Sequence, residues 1–298
     1  MTSAQIEAFL AVCEQKSVSR AAEKLFVSQP SLSTKIKTLE RELGFSLFVR
    51  RKGSTSVSLT AQGKEFYLLA IQHQEIVRAM FALRTPSGGK SLRISTSNSI
   101  GTYLFAPVYA RFMKKNPEIS LEVREQDTDS AYLSLRAGVT DLAFTPGQRD
   151  SSLVTVQPMF SESMLFVCTS DASYPPQLSV SQLRVCDEVY VDWSSNFVQW
   201  HDRVFGFHAE PRIRLSIMSQ LHFFMLQPQS WAIVPYSVAQ GLIAAGGVVS
   251  RQLQEAPPER LTNCNAREGL DPALVGAFLA CLREQLAQMQ TDKIQSYL

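Results

Sequence analysis

From Thr60 to Arg84 the chain holds no proline and a single glycine, Gly63, in the first turn. Across this stretch Phe66, Leu69, His73, Ile76, Met80 and Leu83 recur at alternating steps of three and four. That is the a/d spacing of a coiled-coil seam. An isolated helix cannot cover such a stripe by itself, so it must meet either a second copy or the surface of its own domain. His73 reads as a polar interruption of the seam, with a pH sensor as the alternative. Thr85-Pro86-Ser87-Gly88-Gly89 then breaks the helix and supplies a hinge. This one feature divides the 298 residues into a head, a pairing helix and a long C-terminal body.

The head reads as three helices. Ile6, Phe9, Leu10 and Cys13 mark one face of the first, and Val18, Ala21, Ala22 and Leu25 mark a short second. After Phe26-Val27, Ser28 is a good N-cap and Pro30 falls in a first turn, where its missing N–H costs nothing. The third helix carries Leu32, Ile36, Leu39 and Leu43 inward and stops at Gly44. Two helices joined by so tight a turn describe a helix-turn-helix. Gln29, Ser31, Ser33, Thr34, Lys35 and Lys37 remain for the other faces, with no acid before Glu40. A helix that reads base edges needs such donors and acceptors and no carboxylate facing phosphate. The surface of a plain three-helix bundle would give the same periodicity. Leu47–Gly53 and Ser56–Leu59 read as a hairpin with Arg50, Arg51 and Lys52 at one end, placed to meet the phosphate backbone or the minor groove.

Charge follows the same division. Residues 1–84 hold twelve Lys and Arg against seven Asp and Glu; the remainder holds seventeen against twenty. The net charge of +2 therefore conceals a basic head on a mildly acidic body, which points to a polyanion partner for the head alone. Hydrophobic residues at 45% and charged residues at 19% describe a soluble globular chain. No run is long and apolar enough to span a membrane. Met1–Ser17 carries Glu7 and Glu14 and no apolar core of a signal peptide, so a cytoplasmic location is expected. Five cysteines, odd in number and without a CxxC, indicate neither a disulfide framework nor zinc, and no cofactor is expected.

The ordered pieces are F-L-A-V at 9–12, A-A-x-x-L at 21–25, S-Q-P-S-L-S at 28–33, L-E at 39–40, L-G at 43–44, L-F-x-R at 47–50 and L-T-x-x-G at 59–63. Together they resemble the winged helix-turn-helix of the LysR-type transcriptional regulators. One departure is Thr34, followed by Lys35, where members often carry a long basic or amide side chain; it bears on which bases are read. The resemblance implies double-stranded DNA as partner. It also implies linker helices that form homodimers, commonly paired into homotetramers, and RNA polymerase as a further partner.

Beyond the hinge, strands alternate with helices. Strands are expected at Leu92–Ser95, Leu121–Arg124, Leu142–Thr145, Met164–Thr169, Val189–Val191, Ile213–Ile217 and Ala232–Val234. Helices are expected at Tyr103–Lys115, Asp129–Ala137, Phe197–Phe205, Gln220–Gln227, Ser237–Ala244 and Pro272–Met289. This predicts an α/β body with largely parallel sheets. The resemblance, supported here by G-x-x-D-L-A-F at 138–144, implies two lobes like those of periplasmic solute-binding proteins. Two crossover strands near Met159–Ser161 and Asn263–Ala266 would join them. The expected division is 1–59 head, 60–84 linker helix, 85–90 hinge, 91–161 with 265–298 lobe one, and 162–264 lobe two.

Ligands of open α/β sheets sit where strands end and helix N-termini point. Thr96-Ser97-Asn98-Ser99 and Ser194-Ser195-Asn196 are two such junctions, and in the family the corresponding loops line an effector cleft. Their N–H groups suit a carboxylate, and nearby aromatics would suit an aromatic acid; plain helix capping explains the same residues. Trp193, Phe197, Trp200, Phe223, Phe224 and Trp231 read first as core. Gln227-Pro228-Gln229-Ser230 replaces a turn that is glycine-rich in many relatives. An enzyme is disfavoured: no G-x-S-x-G, P-loop or G-x-G-x-x-G occurs, and Ser195, His201 and Asp202 lie too close in sequence for triad geometry. Redox sensing through Cys168 and Cys186 is the other alternative, with no cationic cluster expected beside either thiol.

Overall fold

The computed structural model describes residues 1–49, 57–82, 90–146, 154–267, 269–289 and 291–298. The chain divides into two compact units, the first of residues 1–88 with 136–139 and the second of residues 89–135 with 140–298.

In the first unit, helix α1 (Ser3–Gln15) starts in a capping box: Gln5 N donates to Thr2 Oγ1 and Thr2 N to Gln5 Oε1. Ser17 caps α2 (Val18–Lys24), whose Ala21 and Ala22 are buried and let the neighbouring helices approach. Phe26 takes a left-handed conformation (φ 53°) in the turn that follows. Ser28 then caps α3 (Gln29–Leu43), and Gly44 ends it at φ 79°. Strands β1 (Phe48–Val49) and β2 (Ser58–Leu59) pair antiparallel, and α4 (Ala61–Ala82) leads away from them. The core is built on Phe9, Leu32, Leu39 and Phe66, with the rings of Phe9 and Phe66 edge to face at 5.0 Å.

The second unit is two lobes. Lobe one begins with β3 (Ser91–Thr96), a helical stretch of α5 (Asn98–Ile100), a π-helical turn at Gly101–Phe105 and α6 (Ala106–Lys115). It continues through β4 (Ser120–Glu125), α7 (Thr128–Arg136), β5 (Leu142–Thr145) and β6 (Val154–Glu162). Lobe two contains β7 (Met164–Thr169), β8 (Gln177–Leu178), β9 (Val189–Val191), α8 (Ser195–Phe205) and β10 (Ile213–Leu215). It closes with α9 (Leu221–Met225), β11 (Trp231–Pro235), α10 (Tyr236–Ala245) and β12 (Val248–Leu253). The chain returns through β13 (Arg260–Arg267), α11 (Pro272–Gln288) and β14 (Ile294–Ser296).

Lobe one is a six-stranded sheet in the order β14-β6-β13-β5-β3-β4, and lobe two a four-stranded sheet in the order β11-β7-β12-β8 beside the parallel pair β9 and β10. The expectation of largely parallel sheets fails. Only β3 with β4 and β5, β12 with β8, and β9 with β10 run parallel; β6, β7, β11, β13 and β14 pair antiparallel. The cause is topological: chains that leave and re-enter a sheet side by side, as β6 and β13 do, run in opposite directions. Arg260 pairs with Glu162 at the start of β13, so residues 260–264 belong to lobe one's sheet and not to lobe two as expected.

Other bounds differ as well. The first body helix begins at Asn98, five residues ahead of the expected Tyr103. The helix expected over Gln220–Gln227 is a 3-10 turn plus the short α9, cut off before Pro228. Helix α11 buries Phe278, Cys281, Leu282 and Leu286 against α6, where Phe112 and Phe278 meet at 5.5 Å. Asp141 of the D-L-A-F segment accepts from Arg93 N, Arg93 Nη2 and Arg267 Nη2 and ties β3, β5 and β13 together. Among the described residues no helix is long and apolar enough to cross a membrane.

Candidate DNA-binding face and effector cleft

Helix α3 turns Leu32, Ile36 and Leu39 into the core. Gln29, Pro30, Ser31, Thr34 and Lys37 are exposed, and Ser33 and Lys35 half-buried. Ser28 Oγ accepts from Ser31 N at 3.3 Å, fixing the helix start, and Ser19 Oγ donates to Gln29 Oε1 at 3.1 Å. Thr34 Oγ1 donates back to Pro30 O at 2.9 Å. The helix's first acid faces inward: Glu40 Oε1 accepts from Leu47 N at 2.8 Å and from Phe48 N at 3.4 Å. The carboxylate thereby anchors β1, and the face from Ser28 to Lys37 presents hydroxyls, an amide and ammonium groups with no carboxylate. Arg50, Arg51 and Lys52 lie outside the described residues.

The linker helix is set by Thr60 and Gly63. Thr60 Oγ1 donates to Ser46 O at 2.7 Å and accepts from Gly63 N at 2.8 Å. A Cβ at Gly63 would overlap the carbonyl oxygen of Leu47, so only glycine permits this approach. Of the expected seam, Phe66 turns into the unit's own core, while Leu69, Ile76 and Met80 are 61%, 55% and 63% exposed. Those three share one face of α4 at steps of seven and four. His73 is half-buried, with Nδ1 lacking a partner among the described residues, and Leu83 lies outside them. Beside this face Ile6, Leu43, Phe45, Phe66, Leu69 and His73 line an apolar pocket of about 680 Å³.

In the second unit the two hydroxyl-rich junctions behave differently. Ser194 is an ordinary N-cap whose Oγ accepts from Phe197 N at 3.2 Å; Ser195 and Asn196 are exposed beside it. Ser97 holds the N-cap position of α5, yet its hydroxyl makes no capping bond and is buried without a partner among the described residues. Thr96 and Ser99 are buried, and Asn98 Nδ2 donates to Glu125. Ser99 Oγ accepts from Arg260 Nη1 at 2.8 Å, and the same guanidinium lies 5.7 Å from the Trp193 ring. Arg260 thus touches Ser99 of the first junction and the ring of Trp193 just ahead of the second, and it pairs with the fully buried Glu162 at 2.6 Å. Sequence reasoning missed both residues. Neither sits in a motif, and 98 positions separate them.

Trp193, Phe197, Trp200 and Trp231 are in the core of lobe two, as their helix and strand positions implied, whereas Phe223 is 63% exposed. Gln229 adopts φ 60°, so the turn at Gln227–Ser230 takes its left-handed residue without a glycine. His201 Nε2 is held by Glu188 at 2.9 Å among the rings of Tyr190, Phe197 and Phe205. His201 is therefore engaged by Glu188 deep in lobe two, while Ser195 is exposed. Cys168 is wholly buried, and burial pushes its thiol up. Cys186 is exposed with a single cation beside it among the described residues: Arg184 Nη2 donates to its sulfur at 3.5 Å.

Comparison with known proteins gives two family matches in chain order. Residues 3–64 match the bacterial regulatory helix-turn-helix protein, lysR family, and residues 87–287 match the LysR substrate binding domain. A probable RuBisCO transcriptional regulator from Trieres chinensis is 40% identical over 151 residues, 49% of this chain and 48% of that protein. The chain spans about half the length of the curated relatives it matches. Two solved structures resemble the whole fold. CbnR, a LysR family transcriptional regulator, has a TM-score of 0.59 at 20% identity, covering 96% of this chain and 99% of that one. A full-length OxyR variant from Pseudomonas aeruginosa has a TM-score of 0.57 at 21% identity, covering 95% of each.

Proposed function

The chain belongs to the LysR family of bacterial regulatory helix-turn-helix proteins, and from that premise we propose that it is a sequence-specific DNA-binding transcriptional regulator controlled by a small molecule held between its two lobes. The observation that carries this reading is the carboxylate-free face of α3 from Ser28 to Lys37, with Glu40 turned away from it. Ser28, Gln29, Pro30, Ser31, Ser33, Thr34, Lys35 and Lys37 enter the major groove, and Arg50, Arg51 and Lys52 hold phosphate. One such head reads too few base pairs to be selective, so two heads are joined through Leu69, His73, Ile76 and Met80 of paired linker helices, with Phe66 and Leu83 at the ends of that stripe.

The effector occupies the cleft between Thr96–Ser99 and Ser194–Asn196. The Ser97 hydroxyl, which has no partner among the described residues, favours a polar or anionic group such as a carboxylate, and the neighbouring Trp193 ring favours an aromatic or apolar acid. Its binding changes the angle between lobes and hence the spacing of the DNA-reading heads. The protein works in the cytoplasm without enzymatic turnover, as a homodimer or homotetramer, and RNA polymerase is the partner through which it acts on transcription.

Selection of duplex fragments by the full-length protein at fixed salt, followed by gel shifts with Ser33→Ala and Arg50→Ala, tests the DNA reading. Both variants should bind the selected fragment more weakly; unchanged binding in both refutes the assigned face. A thermal-shift screen of small acids tests the cleft. A second reading, redox sensing, is favoured by the Arg184–Cys186 contact alone. Thiol counts before and after mild peroxide, repeated after reduction, separate it from the first: loss of two thiols that a dithiol reductant restores, and that Cys186→Ser abolishes, indicates a disulfide.

A further inference from the structure

The two strands that join the lobes meet at a buried ion pair. Glu162 ends β6 at the last position before the chain enters lobe two, and Arg260 opens β13 at the first position after it returns. They are direct cross-strand partners in the antiparallel ladder. Their side chains are 0% and 1% exposed, so each charge must be met inside the protein.

The way they are met spans both lobes. Arg260 Nη2 donates to Glu162 Oε2 at 2.6 Å, and Nη1 donates to Ser99 Oγ at 2.8 Å in lobe one. Glu162 Oε1 accepts from Ser237 N at 2.8 Å, in the first turn of α10 in lobe two. That N-terminus is the positive end of a ten-residue helix and adds to the compensation of Glu162. The guanidinium also lies 5.7 Å from the ring centroid of Trp193, whose indole N–H donates to Ile233 O in the lobe-two core. Beside this cluster the lobes touch directly, for a Cβ at Gly241 of α10 would run into the ring of Tyr103 in the π-helical turn.

We propose that Arg260 is a positioning residue: the Arg260–Glu162 pair is the pin that sets the angle between the lobes and holds the Thr96–Ser99 loop and the Trp193 ring against it. The pair takes partners from three sides. The crossover strands supply the two charges, lobe one supplies Ser99, and lobe two supplies Ser237 N and Trp193. A rotation of one lobe on the other stretches at least one of these contacts, and in a low-dielectric interior no solvent replaces it. A ligand seated at Ser97–Ser99 acts on the pin through Ser99. That last link rests on the effector reading above, whereas the pin itself does not.

Hydrogen exchange on the full-length protein, free of ligand and DNA, tests the pin without any effector. In Arg260→Met, peptides covering residues 97–105 and 236–241 should exchange at least about tenfold faster, while peptides in the core of each lobe, such as 108–112 and 189–191, keep native rates. Uniform acceleration of all peptides would reduce Arg260 to a general stability role and overturn the proposal, as would native rates throughout. If the unpaired Glu162 prevents Arg260→Met from folding, the double variant Arg260→Met with Glu162→Gln removes both charges and keeps an oxygen to accept from Ser237 N. It should lose protection at 97–105 and retain it at 236–241; loss or retention at both overturns the assignment. Failure of every small acid in the thermal-shift screen would count against the effector reading and leave these exchange rates unaffected.

Discussion

Replacing Ile76 by alanine isolates the pairing of linker helices from everything else the chain does. Ile76 is 55% exposed within its own unit, so little of that unit's stability depends on it. The substitution removes three carbon groups, worth about 2.4 kcal/mol if they pass wholly from water to an apolar contact. Only the exposed share remains to be buried on pairing, about 1.3 kcal/mol per chain. A twofold interface loses it twice, about 2.6 kcal/mol, which is close to an 80-fold rise in the dimer dissociation constant. Alanine is the better helix former by a few tenths of a kcal/mol, so melting of α4 cannot mimic the loss. Sedimentation equilibrium at fixed salt reads the constant directly, and a urea titration of the same sample should place the unfolding free energy within about 0.5 kcal/mol of native. A dissociation constant that moves less than about threefold would mean that Ile76 faces solvent in the assembled protein, and the seam would have to be abandoned.

Gly63→Ala forces a methyl group onto the Leu47 carbonyl and should cost about 1–3 kcal/mol in urea unfolding; a loss under about 0.5 kcal/mol would show that the approach of α4 to β1 is not fixed there. Asp271 caps α11 and meets Lys90 at 2.8 Å, and these contacts hold its carboxyl below its ordinary 3.8. The stability it supplies is therefore present above that value and lost as pH falls through the lowered one. Asp271→Asn should melt below native at about pH 6, with the gap closing below about pH 4; a constant gap from about pH 6 to about pH 3 would exclude the carboxylate as its source. Burial pushes the thiols of Cys13 and Cys264 up to about 12, so both stay protonated at about pH 8. A thiol reagent at that pH should react promptly with a single group and with none in Cys186→Ser; two prompt groups would show that the half-buried Cys13 or one of the buried thiols is open to the reagent.

The head was legible almost to the residue because its contacts are local. The steps of three and four that place Ile6 with Phe9 or Leu32 with Ile36 are the helix period itself, and Ser28 and Gly44 are caps whose chemistry lies in the residue type. What escaped there is Glu40. It read as the first acid on a DNA-facing helix and is instead the acceptor for two strand N–H groups seven and eight residues on. In the body, apolar runs announced β5, β7 and β9, but not β8, β12 or β14. β8 and β14 are two or three residues long, and all three exist through partners far away: β14 lies along β6, more than 130 residues earlier. Strand direction is likewise absent from any local pattern, since side chains alternate with period two in parallel and antiparallel strands alike.

The candidate effector site shows where local reading stops. Ser97 and Ser194 are the same residue type at the same kind of strand-to-helix junction. One caps its helix through Phe197 N, and the other leaves its hydroxyl without a partner among the described residues. The difference lies in what faces them. Behind the lobe-one junction the crossover strands bring Arg260 within 2.8 Å of Ser99. Glu162 and Arg260 each look ordinary in sequence, a lone charge at the end of a strand where solvent is the usual neighbour. Only the register of β6 against β13 buries them together, and only the return of the chain from lobe two creates that register. Residues that tie two lobes together take half their partners from each, so no single stretch of sequence carries their signal, and they are the ones a periodicity argument is built to miss.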